Sequence, residues 1–399
     1  MTTDTKLHVY DVLAKCFIQE NVKTCFTLMG DANMNWASKL ASQGCRMVYV
    51  RHEHCAAAAA MAYARKTGDV GVATVTCGPG VTQLITALPA AVRAHLPMVV
   101  FAGESPIKMG WYNQMINQGP IIEATGAAYH PLHLPERMPV AIRDAFLQAR
   151  RERRPVVLGI PFDLQERPWT GPETLPTPSH QLLPKLSPIP AHPDDVAQAA
   201  KLVAASERIV IFAGLGAVAA KAAPACRALA AKTGAILTTS LPARGLFHDD
   251  PYCVGISGSF STEVGLDLIA QADLVIIVGG SLAFHAGGGG QLWKKAKMLH
   301  IDIDPVAVAQ GQEVARNHLR ADARLGVEAL TAAIPDRANK WRTEAMATRI
   351  RVSKPDSHVF EIEPDLLDKN RHMVAGLQDN RCSSGQLAPL RIGTCRRSG

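Results

Sequence analysis

What most constrains this chain is a set of short, uninterrupted apolar runs, each followed by a stretch with helical periodicity. In the first 165 residues the strand candidates are 47–50, 70–76, 97–103 and 155–160, with helices expected near 53–66, 82–93 and 139–151. Strands that read as continuous apolar runs rather than alternating ones are buried on both faces, and regular strand–helix alternation places them in a parallel sheet covered by helices. The pattern recurs after residue 193, with strands expected at 209–213, 235–239, 274–279 and 298–303 and helices near 194–205, 217–233 and 262–270. Between the two halves, eight prolines fall in the 28 residues 166–193, a stretch poor in ladder donors that reads as an extended linker. The expectation is an α/β chain with two doubly wound parallel-sheet domains, 1–165 and 194–335. A weakly patterned remnant, 336–399, follows them.

Composition agrees with a globular chain and removes several function classes. Of 399 residues 47% are apolar and 19% charged, and no apolar run approaches the roughly 18 residues of a membrane span. The first six residues are polar with no apolar stretch after them, so neither a secreted nor a membrane protein is expected. Nine cysteines form no CxxC pair, which fits a reduced, cytoplasmic setting. The formal charge of +7 is concentrated at the end: from Lys340 onward there are 11 basic and 7 acidic residues, a surplus of four. With the body nearly balanced, no nucleic-acid partner is expected.

Two stretches place chemistry-bearing residues at strand ends. Glu53, in Arg51-His52-Glu53-His54, stands where a strand gives way to the alanine-rich helix that opens Cys55-Ala56-Ala57-Ala58-Ala59-Ala60. A carboxylate there suits a helix cap. The small side chains also let a flat ligand approach closely, which dries the carboxyl and favours its protonated form; residue type alone leaves both readings open. The second stretch, Thr74-Val75-Thr76-Cys77-Gly78-Pro79-Gly80-Val81-Thr82-Gln83, follows a strand and opens a helix. Gly-Pro-Gly is an ordinary turn, yet open α/β sheets bind ligands at the carboxyl ends of their strands, and glycines there admit close backbone approach. His52 and His54 read as packed or solvated neighbours of a cap, His130 and His133 show no partner, and no cluster has zinc or calcium spacing.

Glu53 with its alanine helix, then Cys77-Gly78-Pro79-Gly80-Val81-Thr82, then Leu96-Pro97-Met98-Val99-Val100 together resemble the pyrimidine-binding domain of thiamine-diphosphate-dependent enzymes. The likeness is greatest to the acetolactate synthase and related 2-oxoacid decarboxylase group. It continues through Ala243-Arg244-Gly245-Leu246-Phe247, Asp249-Asp250-Pro251, Ala272-Asp273-Leu274-Val275-Ile276-Ile277-Val278-Gly279 and Ile301-Asp302-Ile303-Asp304-Pro305, in the order of that group's central domain, and covers about residues 5–335. The resemblance implies a thiamin-diphosphate-binding fold followed by a central domain of the NAD/FAD-binding type. It makes Glu53 the catalytic residue, donating a hydrogen bond to a ring nitrogen of the cofactor's aminopyrimidine so that the thiazolium proton can be removed and a 2-oxoacid attacked. Cys77, Gly78, Pro79 and Gly80 match the loop beside the pyrimidine, and Gln118 falls where relatives carry a Phe-Gln-Glu segment facing the reaction centre. Gly30, in Met29-Gly30-Asp31-Ala32, stands in the first substrate-facing loop, where relatives often read Pro-Gly. A homodimer or homotetramer is the oligomer implied.

The resemblance also implies magnesium, which in this family holds the cofactor's diphosphate through a Gly-Asp-Gly…Asn motif in a third domain. No such motif follows Asp304, and likeness ends near Asp379 after residues 359–377, which resemble that domain's first helix. The expectation is therefore a truncated or frame-shifted chain, incomplete and inactive alone; a split enzyme with a separate diphosphate-domain chain and a noncatalytic subunit are the alternatives. Gly214-Leu215-Gly216-Ala217-Val218-Ala219 is a loose dinucleotide fingerprint that suggests an NAD-binding, sirtuin-like enzyme, but the acidic residue about 20 positions on is missing. The stretch 281–286 with its four following glycines matches the flavin-contacting segment of relatives poorly. Neither FAD nor NAD is expected.

Overall fold

The strand Met98–Glu104 shows how a continuous apolar run builds this protein. Met98, Val100 and Ala102 enter one core while Val99 and Phe101 enter another, so the run alternates between two buried faces instead of between core and water. The computed structural model describes residues 7–304, 317–336 and 341–353, together with the backbone of the short pair Phe360–Glu361 and Arg391–Ile392. The chain divides into two compact units, residues 1–185 and 186–399.

The first unit is a six-stranded parallel sheet of β1 (Thr24–Thr27), β2 (Arg46–Tyr49), β3 (Gly71–Val75), β4 (Met98–Glu104), β5 (Ala128–Pro131) and β6 (Pro155–Pro161), in the order β2-β1-β3-β4-β6-β5. One face is packed with aromatics: Trp36 lies flat on Phe101 with ring centroids 4.0 Å apart, and Phe17 meets Trp36 edge-on at 4.8 Å. The other face is lined by Ala56, Ala57, Ala60 and Ala64 of the helix Glu53–Thr67, which sits directly against β3. That helix starts where the extended backbone of His52 ends, and the His52 ring accepts a hydrogen bond from the His54 amide at 3.1 Å.

The second unit repeats the architecture with β7 (Ile209–Ala213), β8 (Ile236–Thr239), β9 (Cys253–Ile256), β10 (Leu274–Val278), β11 (Lys297–Asp302) and β12 (His318–Arg320), all parallel in the order β12-β11-β10-β7-β8-β9. Three of the segments behind the family resemblance have plain packing roles here. Phe247 is fully buried under the Arg227 guanidinium, Arg227 pairs with Asp249, and the Asp273 carboxylate accepts from the amides of Glu207 (2.9 Å) and Arg208 (3.0 Å).

Several elements differ from the sequence reading. β1, β5, β9 and β12 were not expected: each is three or four residues long, and β1, β5 and β12 mix apolar with polar side chains while β9 is interrupted by Gly255. The single helix expected over 217–233 is two, Leu215–Ala219 and Ala223–Thr233, separated by Lys221 at φ 53°. The proline-rich stretch belongs to the first unit as far as Lys185: Trp169 donates to Leu7 O at 2.7 Å, and Ser179 N and Oγ donate to the buried Glu20 carboxylate at 2.7 and 2.5 Å. Pro305 and most of 336–399, including nearly all of the segment 359–377, lie outside the described residues. Among the described residues no helix is long and apolar enough to cross a membrane.

The pair of neighbouring histidines on β11 and β12 gives the second unit a pH dependence. His300 and His318 stand opposite each other in register, 5.5 Å between ring centroids, with His300 fully buried. Burial first, then the His300 ring, holds the His318 pKa below its usual 6.5. A folded-state value below the unfolded one means that the unfolded chain binds the proton more readily, so stability falls as pH drops below 6.5. Unfolding free energies from urea titrations between pH 7.5 and 5 should decline for the natural chain by up to about 1.4 kcal/mol per pH unit beyond the decline in His318→Gln. Parallel curves for the two proteins would contradict this.

Candidate functional site

In a sheet ordered β2-β1-β3, the chain leaves β1 toward one edge and returns for β3 on the other side, which opens a crevice at the carboxyl ends of β1 and β3. Residues picked out from three separate stretches of sequence meet at this edge. Gly30 follows β1, Glu53 opens the helix after β2, and Cys77–Gly80 follow β3. The Gly30 and Gly78 loops touch: a Cβ on Gly30 would lie 2.7 Å from Thr76 Cβ. Their placement rests on buried Asn33, whose Oδ1 accepts from Gly30 N at 2.8 Å and whose Nδ2 donates to Leu28 O (3.1 Å) and Thr74 Oγ1 (3.0 Å).

Glu53 is half-buried at the first turn of its helix. A Cβ on Gly80 would stand 3.6 Å from Glu53 Oε1 and 3.0 Å from Thr76 Cγ2, so the bare glycine leaves room directly before the carboxylate. Among the described residues no hydrogen-bond donor reaches that carboxylate. This is a cradle that a side chain would fill, facing an acid with unused hydrogen-bonding capacity. It fits the aminopyrimidine of thiamine diphosphate, a flat ring bearing a nitrogen that can pair with a carboxyl.

Around the cradle the loop is tightly held. Gly78 has φ 60°, a Cβ there would meet Gln114 O at 2.0 Å, and its amide donates to Gln118 Oε1 at 2.8 Å. Gln118 is buried, and its Nε2 donates to Gly103 O at 3.1 Å and Tyr129 Oη at 3.4 Å. Its amide is thus bound on both sides by protein, and Gln118 acts on the crevice by holding the Gly78 loop. Pro79 begins the short helix Pro79–Thr82. Cys77 is buried with Sγ 3.2 Å from Gln114 Oε1, and burial raises its thiol pKa.

The histidines divide differently from their sequence appearance. His52 is a cap, as its bond to the His54 amide shows. His130 and His133, for which the sequence disclosed no partner, both have one: His130 Nε2 lies 2.7 Å from Gln148 Oε1, and His133 Nε2 lies 2.6 Å from Glu104 Oε2. Glu104 was missed. Its only sequence signal is position, an acid ending an otherwise apolar strand at the edge where ligands bind. Among the described residues no group of three or more His, Cys, Asp or Glu is arranged to hold a metal ion, so nothing described fits the magnesium and diphosphate half of the cofactor.

In the second unit the loose dinucleotide fingerprint has a packing explanation. A Cβ on Gly214 would meet Gly279 O at 2.3 Å, one on Gly216 would meet Gly279 Cα at 2.7 Å, and Gly216 N donates to Gly279 O at 2.8 Å. The glycines bring two loop backbones together.

Residues 7–119 match the thiamine pyrophosphate enzyme N-terminal TPP binding domain, and residues 196–330 match the central domain of the same enzymes. The chain is 30% identical over 307 residues to a probable acetolactate synthase large subunit of Methanocaldococcus jannaschii, covering 75% of this chain and 52% of that protein. It is 30% identical over 341 residues to a chloroplastic acetolactate synthase 2 of Zea mays (83% and 52%), and 30% over 277 residues to an acetolactate synthase large subunit of Corynebacterium glutamicum (67% and 43%). The chain belongs to the thiamine pyrophosphate enzyme family, with acetolactate synthases among its relatives. It spans about half the length of the curated relatives it matches.

The cysteines give a direct check on the crevice. Burial pushes the thiols of Cys16 and Cys226 up to about 12 and that of Cys45 to about 11, and raises Cys77, while Cys55, beside Glu53, is exposed. Brief alkylation with iodoacetamide at pH 8, read by peptide mass spectrometry, should label Cys55 on the order of tenfold or more faster than Cys77. Equal labelling of the two in folded protein would mean that the Gly78 loop is open.

Proposed function

We propose that this chain supplies the pyrimidine-binding and central domains of a thiamine-diphosphate-dependent enzyme of the acetolactate synthase type, acting on a 2-oxoacid in a lyase or transferase reaction. The observation that carries the reading is the bare Gly80 in front of the Glu53 carboxylate, which has no hydrogen-bond partner among the described residues, at the switch point of the first sheet. Thiamine diphosphate, when bound, supplies the carbon nucleophile for such chemistry. The protein's part is proton tuning and geometry. Glu53 holds a proton toward the ring nitrogen, the buried alanines behind it keep that face of the helix dry, and the backbone of Gly78–Gly80 flanks the ring. Magnesium, a homo-oligomeric state and a cytoplasmic location belong to the same proposal; the family relationship and the absence of CxxC pairs support them. The Gly214 loop is read as packing, and no flavin or nicotinamide step is assigned to it.

Glu53→Gln preserves shape and removes the exchangeable proton. With a diphosphate-binding domain supplied to the chain together with thiamine diphosphate and magnesium, deuterium exchange at the cofactor's reactive carbon, followed by proton NMR, should be faster with the natural protein than in free solution. Glu53→Gln should slow it by about 10²- to 10⁴-fold relative to the natural protein, the usual reach of acid–base catalysis. Amide signals of Glu53 and Cys77–Gly80 that do not move on adding the cofactor, with no gain in exchange, would sink the proposal.

A further inference from the structure

Beside the crevice, but outside the Glu53 cradle, four polar side chains form a line that runs from buried Gln118 to solvent-facing His133. The Gly78 amide requires that Gln118 present its oxygen, and Gly103 O requires that Gln118 present its nitrogen, so the orientation of that amide is fixed by its partners. Gln118 Nε2 then donates to Tyr129 Oη at 3.4 Å, and Tyr129 Oη donates to Glu104 Oε1. On the far side His133 Nε2 closes on Glu104 Oε2 at 2.6 Å; the Glu104 side chain is 16% exposed and that of His133 52%. Every donor in the line points toward the Glu104 carboxylate.

A second feature is built around the same two residues. Gly159 on β6 faces them, and a Cβ there would stand 2.1 Å from Tyr129 Oη and 2.6 Å from Glu104 Oε1. The Tyr129 hydroxyl is held far from ionising by burial and then by the Glu104 charge, so it stays a donor. A fixed charge at one end of a buried chain strengthens each bond along it.

We propose that Glu104 is a positioning residue: its carboxylate, clamped by His133, polarises the line through Tyr129 and Gln118 and so sets the Gly78 loop against Glu53. Its meaning for catalysis rests on the function proposed above, but the line itself can be read without any ligand. Glu104→Gln keeps the volume and can still accept from Tyr129, so a purely structural role would leave Gly78 unaffected. Tyr129→Phe cuts the line.

The test is the amide of Gly78 in 1H–15N spectra of the ligand-free chain, for Glu104→Gln, Tyr129→Phe and the double variant, with thermal melts to confirm folding. Each single change should move the Gly78 proton upfield and speed its exchange with solvent by about two- to tenfold, the net worth of one hydrogen bond. The double variant should match Tyr129→Phe alone, because a cut line no longer carries the charge. If Tyr129→Phe fails to fold, His133→Gln, altered at the solvent end, should shift Gly78 in the same direction as Glu104→Gln. An unmoved Gly78 in Glu104→Gln, or effects of the two changes that simply add, would overturn the proposal. Adding thiamine diphosphate, magnesium and a diphosphate-binding domain afterwards tests the Glu53 cradle separately: a Gly78 line that behaves as stated in a protein that still ignores the cofactor leaves the positioning role standing and removes the proposed function.

Discussion

The first unit depends on a buried polar knot where water cannot substitute for protein. Asn33, fully buried, ties the loop after β1 to Thr74 in the middle of the sheet, and Thr74 Oγ1 passes the tie to Phe101 O at 2.8 Å. A buried amide left without partners costs about 1–3 kcal/mol. Here Oδ1 is bonded by Gly30 N and Nδ2 by two acceptors, so the loop has one favourable position. Gln165 repeats the device from the other side, donating to Ala32 O and Ile160 O, both at 2.9 Å. The crevice is therefore a fixed gap between loops anchored to β3, β4 and β6.

What could be read from the sequence followed from what a sequence states directly. Continuous apolar runs gave β3, β4, β6, β7 and β10 because strands buried on both faces have no polar position to hide. Glu53 and the Cys77–Gly80 turn stood out because each ends such a run. The short strands β1 and β5 escaped because Thr24, Thr27 and His130 break the apolar signal. Glu104 and His133 are 29 residues apart and Gly78 and Gln118 are 40, so only the crossing from β4 through β5 to β6 brings them together. Prolines 168–178 looked like a tether since proline cannot join a ladder; the chain there is held instead by Trp169 and Ser179, neighbours whose partners lie at the other end of the unit.

The two parallel sheets differ in strand order, and they also use their switch points differently. In the first, glycine leaves space beside a carboxylate. In the second, glycines at 214, 216 and 279 close the space with backbone. The same residue type in the same topological place yields a cradle or a seam according to whether the facing loop withdraws or advances. Sequence fingerprints built on glycine spacing cannot separate these outcomes.

The alanine face of the helix Glu53–Thr67 has a mechanical consequence. Longer side chains could change rotamer to absorb a small displacement, but alanine has none to change, so the buried stripe from Ala56 to Ala64 meets its neighbours as a rigid surface. Any shift of the sheet beneath is passed undamped along the helix to its first residue. The Glu53 carboxylate then reports the position of the core as directly as the end of a lever reports its fulcrum.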